Sequence, residues 1–313
     1  MIKIENKSVY IIMYHYVRPK KSNNYFPALE LSDFKKQITY FQKIGRIINN
    51  EEFVEIINKN KFESKPNFLL TFDDGYKDHY DYVYPYLKKR NITGNFYVPT
   101  SIWNKKKILD INKIHLILNK ENNHKKLLNY VYSLLEKNIS KKFQSKEVLN
   151  KVIRNKYDKF ETLIIKRFLQ YMLPENIRIN LLDYLFNQMV NSSEDEMINK
   201  IYLSVEEAKE MSKNGMHFGS HGETHRNFRL LDFNDQLSEV QNSIKFLKKN
   251  KIVNSEISLC YPWGEFNKFS KKLFNSISIQ YGITVLPGHL GENSKFSKYY
   301  LPRYDTNYFL TKI

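Results

Sequence analysis

Residues 69–76 read LLTFDDGY, in which two adjacent carboxylates, Asp73 and Asp74, follow an apolar run and precede Gly75. The run over 67–72, NFLLTF, has the composition of a buried strand. The carboxylates therefore stand at the carboxyl end of a predicted strand, where α/β folds place their active sites. Two neighbouring acids stay ionised together only when a cation or hydrogen bonds stabilise them. The pair thus predicts either a metal site or a turn that closes through the glycine.

Apolar runs on both sides of this stretch predict an α/β architecture. Residues 8–14, SVYIIMY, predict a buried strand that ends at His15. Apolar residues at helical spacing, such as Phe34, Ile38 and Phe41, follow it. Further strands are predicted in NFYVP, MHFGS, ISLCYP, YGITVL and around YYLPRYD. Buried strands that alternate with helices are typical of a parallel sheet.

The alternation stops over roughly 105–200. No glycine lies between Gly94 and Gly215, and amphipathic runs such as LLNYVYSLLEK dominate. We interpret 105–200 as a helical insertion within a single domain spanning 1–313. Amphipathic helices need an apolar surface to pack against. That surface is either the mouth of the α/β unit or a second copy of the chain, so a homo-oligomer formed through the insertion is one expectation.

Composition narrows the class of protein. The single cysteine, Cys260, excludes an intramolecular disulfide framework and a cysteine-based metal cluster. The N-terminal sequence lacks the pattern of a signal peptide, and no apolar run reaches the length of a membrane span, so a cytoplasmic protein is expected. The net charge of +17 is scattered along the chain, which favours solvated helix faces over nucleic-acid binding. Weak association with an anionic membrane surface stays open.

A second cluster of polar residues, GSHGETH over 219–225, also follows a predicted strand. His221 and His225 stand four residues apart, a spacing that lets two imidazoles converge on one ion. Glu223 stands two places after the first histidine and is expected to point away. Two imidazoles and one carboxylate, with open positions for water, are the make-up of a catalytic zinc-type site. The second carboxylate of the aspartate pair is then free to act as a general base.

A third candidate loop, 260–264, reads CYPWG. Proline and glycine predict a tight turn, and Trp263 offers a stacking wall for a ligand. Its backbone N–H could face a developing oxyanion. An ordinary turn with a buried tryptophan is the alternative.

These three motifs, TFDDGY, HGETH and YPWG, in this order and spacing, resemble the polysaccharide deacetylases of carbohydrate esterase family 4 over residues 8–100 and 201–305. The resemblance implies a distorted (β/α) barrel of about seven parallel strands with a large helical insertion. It implies a divalent metal, Zn first and Co, Ni or Mn as alternatives, and hydrolysis of an N-acyl group, typically N-acetyl, from an amino sugar. The segment MYHYV resembles the branch associated with cell-surface polysaccharide synthesis.

The resemblance also implies roles for residues. Asp73 would be the general base, and the backbone of Trp263 would contribute to the oxyanion hole. The implied metal ligands are Asp74, His221 and His225. Substrate contacts are expected from Tyr261, Pro262, Trp263 and Arg303.

Three positions depart from the family pattern. Gly222 stands where the family usually has Ser or Thr, and Cys260 where it has an Arg that orients the base. The last strand lacks the histidine that serves as general acid and offers Arg303, a source of the missing guanidinium. Because His289 follows a predicted strand, it is the first candidate for the general acid, His15 the second and His115, in the insertion, the third. His79 is expected to be structural.

The sequence therefore predicts a metal-dependent N-deacetylase that acts on an amino sugar or glycan, free or lipid-linked, in surface polysaccharide or lipopolysaccharide biosynthesis. One alternative is an N-deformylase for a lipid- or nucleotide-linked sugar. The other is a catalytically silent glycan-binding protein.

Overall fold

The computed structural model describes residues 2–19, 28–145, 149, 158–253, 257–292 and 294–312. Within them the chain forms two compact units. The described residues up to Lys107 and from Ile198 onward make the first, and Ile108–Met197 belong to the second.

The first unit contains a nine-stranded sheet and a separate two-stranded one. In chain order the strands β1–β11 are Ser8–Tyr14, Val17–Arg18, Leu29–Glu30, Arg46–Ile47, Asn67–Asp73, Asn95–Val98, His217–Ser220, Ile257–Cys260, Ile279–Ile283, Leu290–Gly291 and Tyr304–Asp305. The large sheet has the order β10-β1-β5-β6-β7-β8-β9, in which all neighbours from β1 to β9 are parallel. β4 pairs with β5, and β2 pairs with β3.

The segment from Leu301 to β11 joins the two edges of this sheet. Leu301 forms a parallel bridge with Ile283 of β9, and its N–H donates to the Gly282 carbonyl over 2.8 Å. Three residues later β11 pairs in parallel with β1, with Tyr304 opposite Ile12. The six parallel strands and this closing segment as a seventh form a (β/α) barrel. The predicted fold class is thus confirmed.

Helices connect the strands of the first unit. They are Leu31–Ile44, Asn50–Lys59, Tyr84–Lys89, Ser101–Asn104, Val205–Lys213, Phe233–Lys249 and Ser270–Ser276, with shorter turns at His79–Val83, Phe228–Leu230, Pro262–Gly264 and Thr306–Lys312. The helix Val205–Lys213 begins after a capping box formed by Ser204 and Glu207. The first helix begins at Leu31, and Glu30 before it provides no side-chain cap.

Apolar side chains fill the amino-terminal half of the barrel. Val9 and Ile11 of β1 and Leu69 of β5 pack in one buried cluster with Phe53 of the helix Asn50–Lys59. The strands turn polar further along, where β5 ends at Asp73. The packed half therefore supports a polar site at the carboxyl ends of the strands.

The second unit is helical. Its helices are Asp110–Lys120, His124–Leu134, Lys137–Phe143, Phe160–Arg167, Glu175–Met189 and Glu194–Ile201, which continues into the first unit, and a π-helical turn spans Phe168–Met172. His115, the third candidate for the general acid, lies on the first of them, where Asp110 pairs with Arg178. Among the described residues, no helix is both long and apolar enough to span a membrane.

Candidate active site

Polar side chains gather where the parallel strands of the barrel end. They lie at or after the ends of β1, β5, β7 and β8 or in the closing segment: His15, Asp73, Asp74, His221, His225, Trp263 and Arg303.

Asp74 carries a buried carboxylate oxygen without a hydrogen-bond donor in the described part of the chain. Its Oδ2 accepts from the hydroxyl of Tyr76 over 2.7 Å. The free Oδ1 lies 3.5 Å from Nε2 of His221 and 3.3 Å from Nε2 of His225. The backbone of Asp74 is left-handed, with φ +73°, a conformation that costs free energy and often occurs at functional sites. A buried, unpaired carboxylate oxygen facing two imidazoles needs a cation.

The two histidines are held in the form that binds metals. Nδ1 of His221 lies 2.7 Å from the carbonyl of Cys260. Because a carbonyl only accepts, this nitrogen carries the hydrogen and Nε2 is free to bind. Burial lowers the pKa of His221 to about 4, helped by the charge of His225, and burial likewise lowers the pKa of His225 to about 4. Both rings are therefore neutral at neutral pH.

Two donor sets with metal-ligand spacing occur among the described residues: Asp74, His221 and His225, and Asp73, His221 and Cys260. In the second set Sγ of Cys260 accepts from Arg303 over 3.2 Å, and both oxygens of Asp73 are also bonded to Arg303. Only the first set has its donors uncommitted. One carboxylate oxygen and two imidazole nitrogens fit a zinc-type divalent metal.

Arg303 forms a bidentate ion pair with Asp73, with Nη1 2.9 Å from Oδ1 and Nη2 2.8 Å from Oδ2. Its Nε donates to the carbonyl of Thr284 over 2.7 Å. Burial by itself raises the pKa of Asp73, but the charge of Arg303 outweighs it and holds the pKa well below its ordinary range. Asp73 is thus a buried carboxylate that is ionised at neutral pH.

The contacts of Arg303 also correct its predicted role. Only 1% of this residue is exposed, and its guanidinium is occupied by Asp73, Thr284 and Cys260. The assignment of Arg303 to substrate binding is therefore wrong. It supplies, from the closing segment, a guanidinium that binds both carboxylate oxygens of Asp73.

His15 is the predicted general-acid candidate that lies beside Asp73. Its Nε2 is 4.0 Å from Oδ2 of Asp73, and 41% of its side chain is exposed. Its carbonyl accepts from Nε2 of His79 over 2.7 Å. Burial lowers the pKa of His79 to about 4, so His79 is a neutral core residue that fixes the backbone of His15. His15 can therefore reach a ligand that contacts Asp73.

His289, the first candidate for the general acid, lies at the wrong end of the barrel. The following strand, β10, runs antiparallel to β1 and pairs with its first residues, Ser8 and Val9. The ring of His289 stacks on Tyr10, and its Nε2 is 3.4 Å from Oε2 of Glu5. The prediction for His289 is wrong because the chain returns to the amino ends of the strands after β9.

In the loop CYPWG, Trp263 alone is partly exposed, and the other four residues are buried. Tyr261 is fully buried, and its ring packs against Phe228 and Phe266 in the layer outside the barrel. Pro262 is buried as well. Their assignment to substrate binding is wrong. The indole of Trp263 lies 5.5 Å from the ring of His225 and donates to the carbonyl of His225 over 3.2 Å.

Two residues that hold the site, Tyr76 and Glu239, are not identified in the sequence analysis. Tyr76 stands inside the motif TFDDGY and bonds Asp74. Glu239 lies on the helix Phe233–Lys249 and binds the loop that carries the two histidines. Because Gly222 stands where the family usually has Ser or Thr, the loop lacks a side-chain hydrogen bond at this position. Local spacing does not reveal which distant residue replaces that bond. As predicted, Glu223 points away and bonds Asn104 and Asn242.

Comparisons with known proteins agree with this fold. A model of the family described as polysaccharide deacetylase matches residues 60–174 and 167–282, which together exceed half of the chain. No curated protein matches the chain in sequence.

Solved structures show the same fold. The Streptococcus pyogenes deacetylase PplD in complex with acetate is similar, with 17% identity, a TM-score of 0.58 and coverage of 96% of this chain and 93% of that one. IcaB from Ammonifex degensii has 13% identity, a TM-score of 0.58 and coverage of 98% and 96%. The BpsB deacetylase domain from Bordetella bronchiseptica has 13% identity, a TM-score of 0.54 and coverage of 97% and 98%.

Proposed function

The chain belongs to the polysaccharide deacetylase family, and on this premise we propose that it is a metal-dependent hydrolase that removes an N-acetyl group from an amino sugar. The substrate we propose is a free or lipid-linked precursor of surface polysaccharide or lipopolysaccharide. The observation that carries the proposal is the unpaired Oδ1 of Asp74, which faces two neutral imidazoles next to a second, separately held carboxylate.

Asp74, His221 and His225 would hold the metal. A divalent ion there would supply Lewis acidity, which lowers the pKa of water and polarises an amide carbonyl. Asp73 accepts the proton of the attacking water as the new C–O bond forms. Its ion pair with Arg303 keeps the carboxylate charged and aimed. His15 then gives a proton to the amine as the C–N bond breaks, so that the products are a carboxylic acid and an amino sugar.

Two observations support a working enzyme over a silent glycan-binding protein. Arg303 provides the guanidinium that Cys260 does not. His15 provides an imidazole near Asp73 in place of the missing late histidine. The complex of the similar PplD deacetylase with acetate supports acetyl as the acyl group.

Removal of the metal tests the proposal. We expect protein purified without chelator to contain about one equivalent of divalent metal and to release acetate from N-acetylated amino sugars or their oligomers. Dialysis against a chelator should abolish turnover, and Zn²⁺ or Co²⁺ should restore it, because the metal supplies several kcal/mol of transition-state stabilisation. Free and carrier-linked substrates, each N-acetylated or N-formylated, are assayed in parallel. Exclusive release of formate would establish the deformylase alternative, and full activity without metal would contradict the mechanism.

Substituting His15 and His289 one at a time tests which of these two candidates is the general acid. His15→Ala should lower kcat by about 10²- to 10⁴-fold, because the leaving amine loses its proton donor. His289→Ala is the matched control and should leave kcat within about twofold, since His289 lies at the other end of the barrel. Steady-state rates on a common substrate measure both. If the His289 variant alone lost activity, the acid role assigned to His15 would be refuted.

A further inference from the structure

We propose that Glu239 is a positioning residue that clamps the loop His221–His225 and thereby sets the affinity of the site for its metal. The inference rests on the proposed function above. It concerns a residue on the helix that follows this loop in the chain.

In the described part of the chain, the side chain of Glu239 accepts its hydrogen bonds from this loop. Its Oε2 accepts from the backbone N–H of Glu223 over 2.9 Å and from that of Thr224 over 2.8 Å. The hydroxyl of Thr224 donates to Oε1. Glu239 is 6% exposed, so these donors replace the water that would otherwise solvate its charge. A carboxylate that accepts three hydrogen bonds from two adjacent residues fixes the path of the chain at that point.

The clamped residues lie between the two histidines. Because Glu223 and Thr224 separate His221 from His225, fixing their amides fixes the spacing of the two imidazoles that face Asp74. His225 itself has a left-handed backbone, with φ +61°. Such a conformation persists in a residue with a side chain only where the surroundings enforce it. Glu239 provides that enforcement from one side, and the indole of Trp263, bonded to the carbonyl of His225, from the other.

Gly222 fits the same arrangement. Its φ is +74°, and a Cβ at this position would lie 3.0 Å from Oε2 of Glu239. The absence of a side chain lets the carboxylate approach the loop closely enough to accept both amides. The loop is also held at the carbonyl of Glu223, which accepts from the N–H of Ser101 over 2.8 Å. The clamp thus acts together with this backbone bond on the same loop.

A positioning role and a purely structural role predict different results. If Glu239 only stabilised the fold, its loss would lower the midpoint of thermal unfolding without changing the metal affinity of the folded protein. If it positions the ligands, the metal affinity of the folded protein falls. Residues that orient metal ligands affect affinity by about 10- to 100-fold.

The experiment measures Zn²⁺ binding by calorimetry in folded, metal-free protein. Glu239→Ala should raise the dissociation constant about 10- to 100-fold. Glu239→Gln keeps the shape and one carbonyl acceptor and should recover most of the affinity. Gln241→Ala, an exposed position on the same helix, is the matched control and should stay within about twofold. Hydrogen exchange at the amides of Glu223 and Thr224 in metal-free protein should accelerate in the Ala variant alone.

Unchanged Zn²⁺ affinity in a folded Glu239→Ala protein would overturn the inference. If that variant does not fold, Glu239→Asp decides, since it keeps the charge but withdraws the carboxylate by one methylene, and unchanged affinity there overturns the inference equally. Wild-type protein that binds no metal would overturn the proposed function as well. Wild-type protein that binds metal, with variants that bind it equally well, would overturn only the role of Glu239.

Discussion

Asp73→Asn should lower turnover by about 10²- to 10⁴-fold, or below detection, while the protein keeps its metal. Asparagine has nearly the shape of aspartate and can still accept from Arg303, but its amide does not take a proton from water. Metal binding should persist because the uncommitted donors belong to Asp74, His221 and His225. The measurement pairs steady-state turnover with metal content after gel filtration.

The adjacent carboxylate supplies the control for this experiment. Asp74→Asn removes the charged ligand atom and should lose both metal and turnover, whereas Asp73→Asn loses turnover alone. Two neighbouring, nearly isosteric substitutions with different metal contents would separate the two duties directly. Retained turnover in Asp73→Asn, or equal loss of metal in both variants, would show that the assignment of base and ligand is mistaken.

The parts of the site that local pattern predicts are those that directly follow a strand. Asp73 ends β5, Asp74 follows it directly, and His221 follows β7. In a parallel barrel these positions converge whatever the connecting helices do. The strand pattern therefore predicts a parallel sheet with these side chains at one end, and the family resemblance implies the barrel. The structure places Asp74 and the two histidines within metal-ligand spacing.

The errors arise where the chain leaves that rule. His289 follows a strand, but the chain then turns back and pairs antiparallel with the start of β1. Tyr261 also follows a strand, yet its side chain points into the layer outside the barrel. The contact of Arg303 with Asp73 depends on the closing segment, which bridges β9 and β1. Such contacts follow from the closure of the barrel and have no signal in local hydrophobic spacing.

The ion pair between Arg303 and Asp73 leads to the largest expected effect on stability. Arg303→Met should lower the free energy of unfolding by about 3–5 kcal/mol at neutral pH, because it leaves a buried carboxylate without its partner. Both residues are almost fully buried, with side-chain exposures of 1% and 3%. Turnover should fall as well, since Asp73, the proposed general base, loses the guanidinium that orients its carboxylate.

The loss of stability expected for Arg303→Met should depend on pH. In the wild type the depressed pKa of Asp73 contributes stability at neutral pH that is lost only as the pH falls through that low pKa. Without Arg303, burial raises the pKa of Asp73, and the variant gains a proton at higher pH than the wild type does. A neutral carboxyl needs no cation, so the stability gap between the two proteins should narrow as the pH falls below the raised pKa.

The measurement is denaturant unfolding of each variant at several pH values. The control is an exposed ion pair of the same type. Arg229 lies 3.3 Å from Glu265, with 69% and 39% of the two side chains exposed. Arg229→Met should therefore cost no more than about 1 kcal/mol at any pH, since water screens such pairs. Arg303→Lys keeps the charge but loses the paired hydrogen bonds, so its stability should lie between those of the wild type and Arg303→Met. A loss from Arg303→Met as small as that from Arg229→Met would mean that Asp73 does not depend on a buried partner.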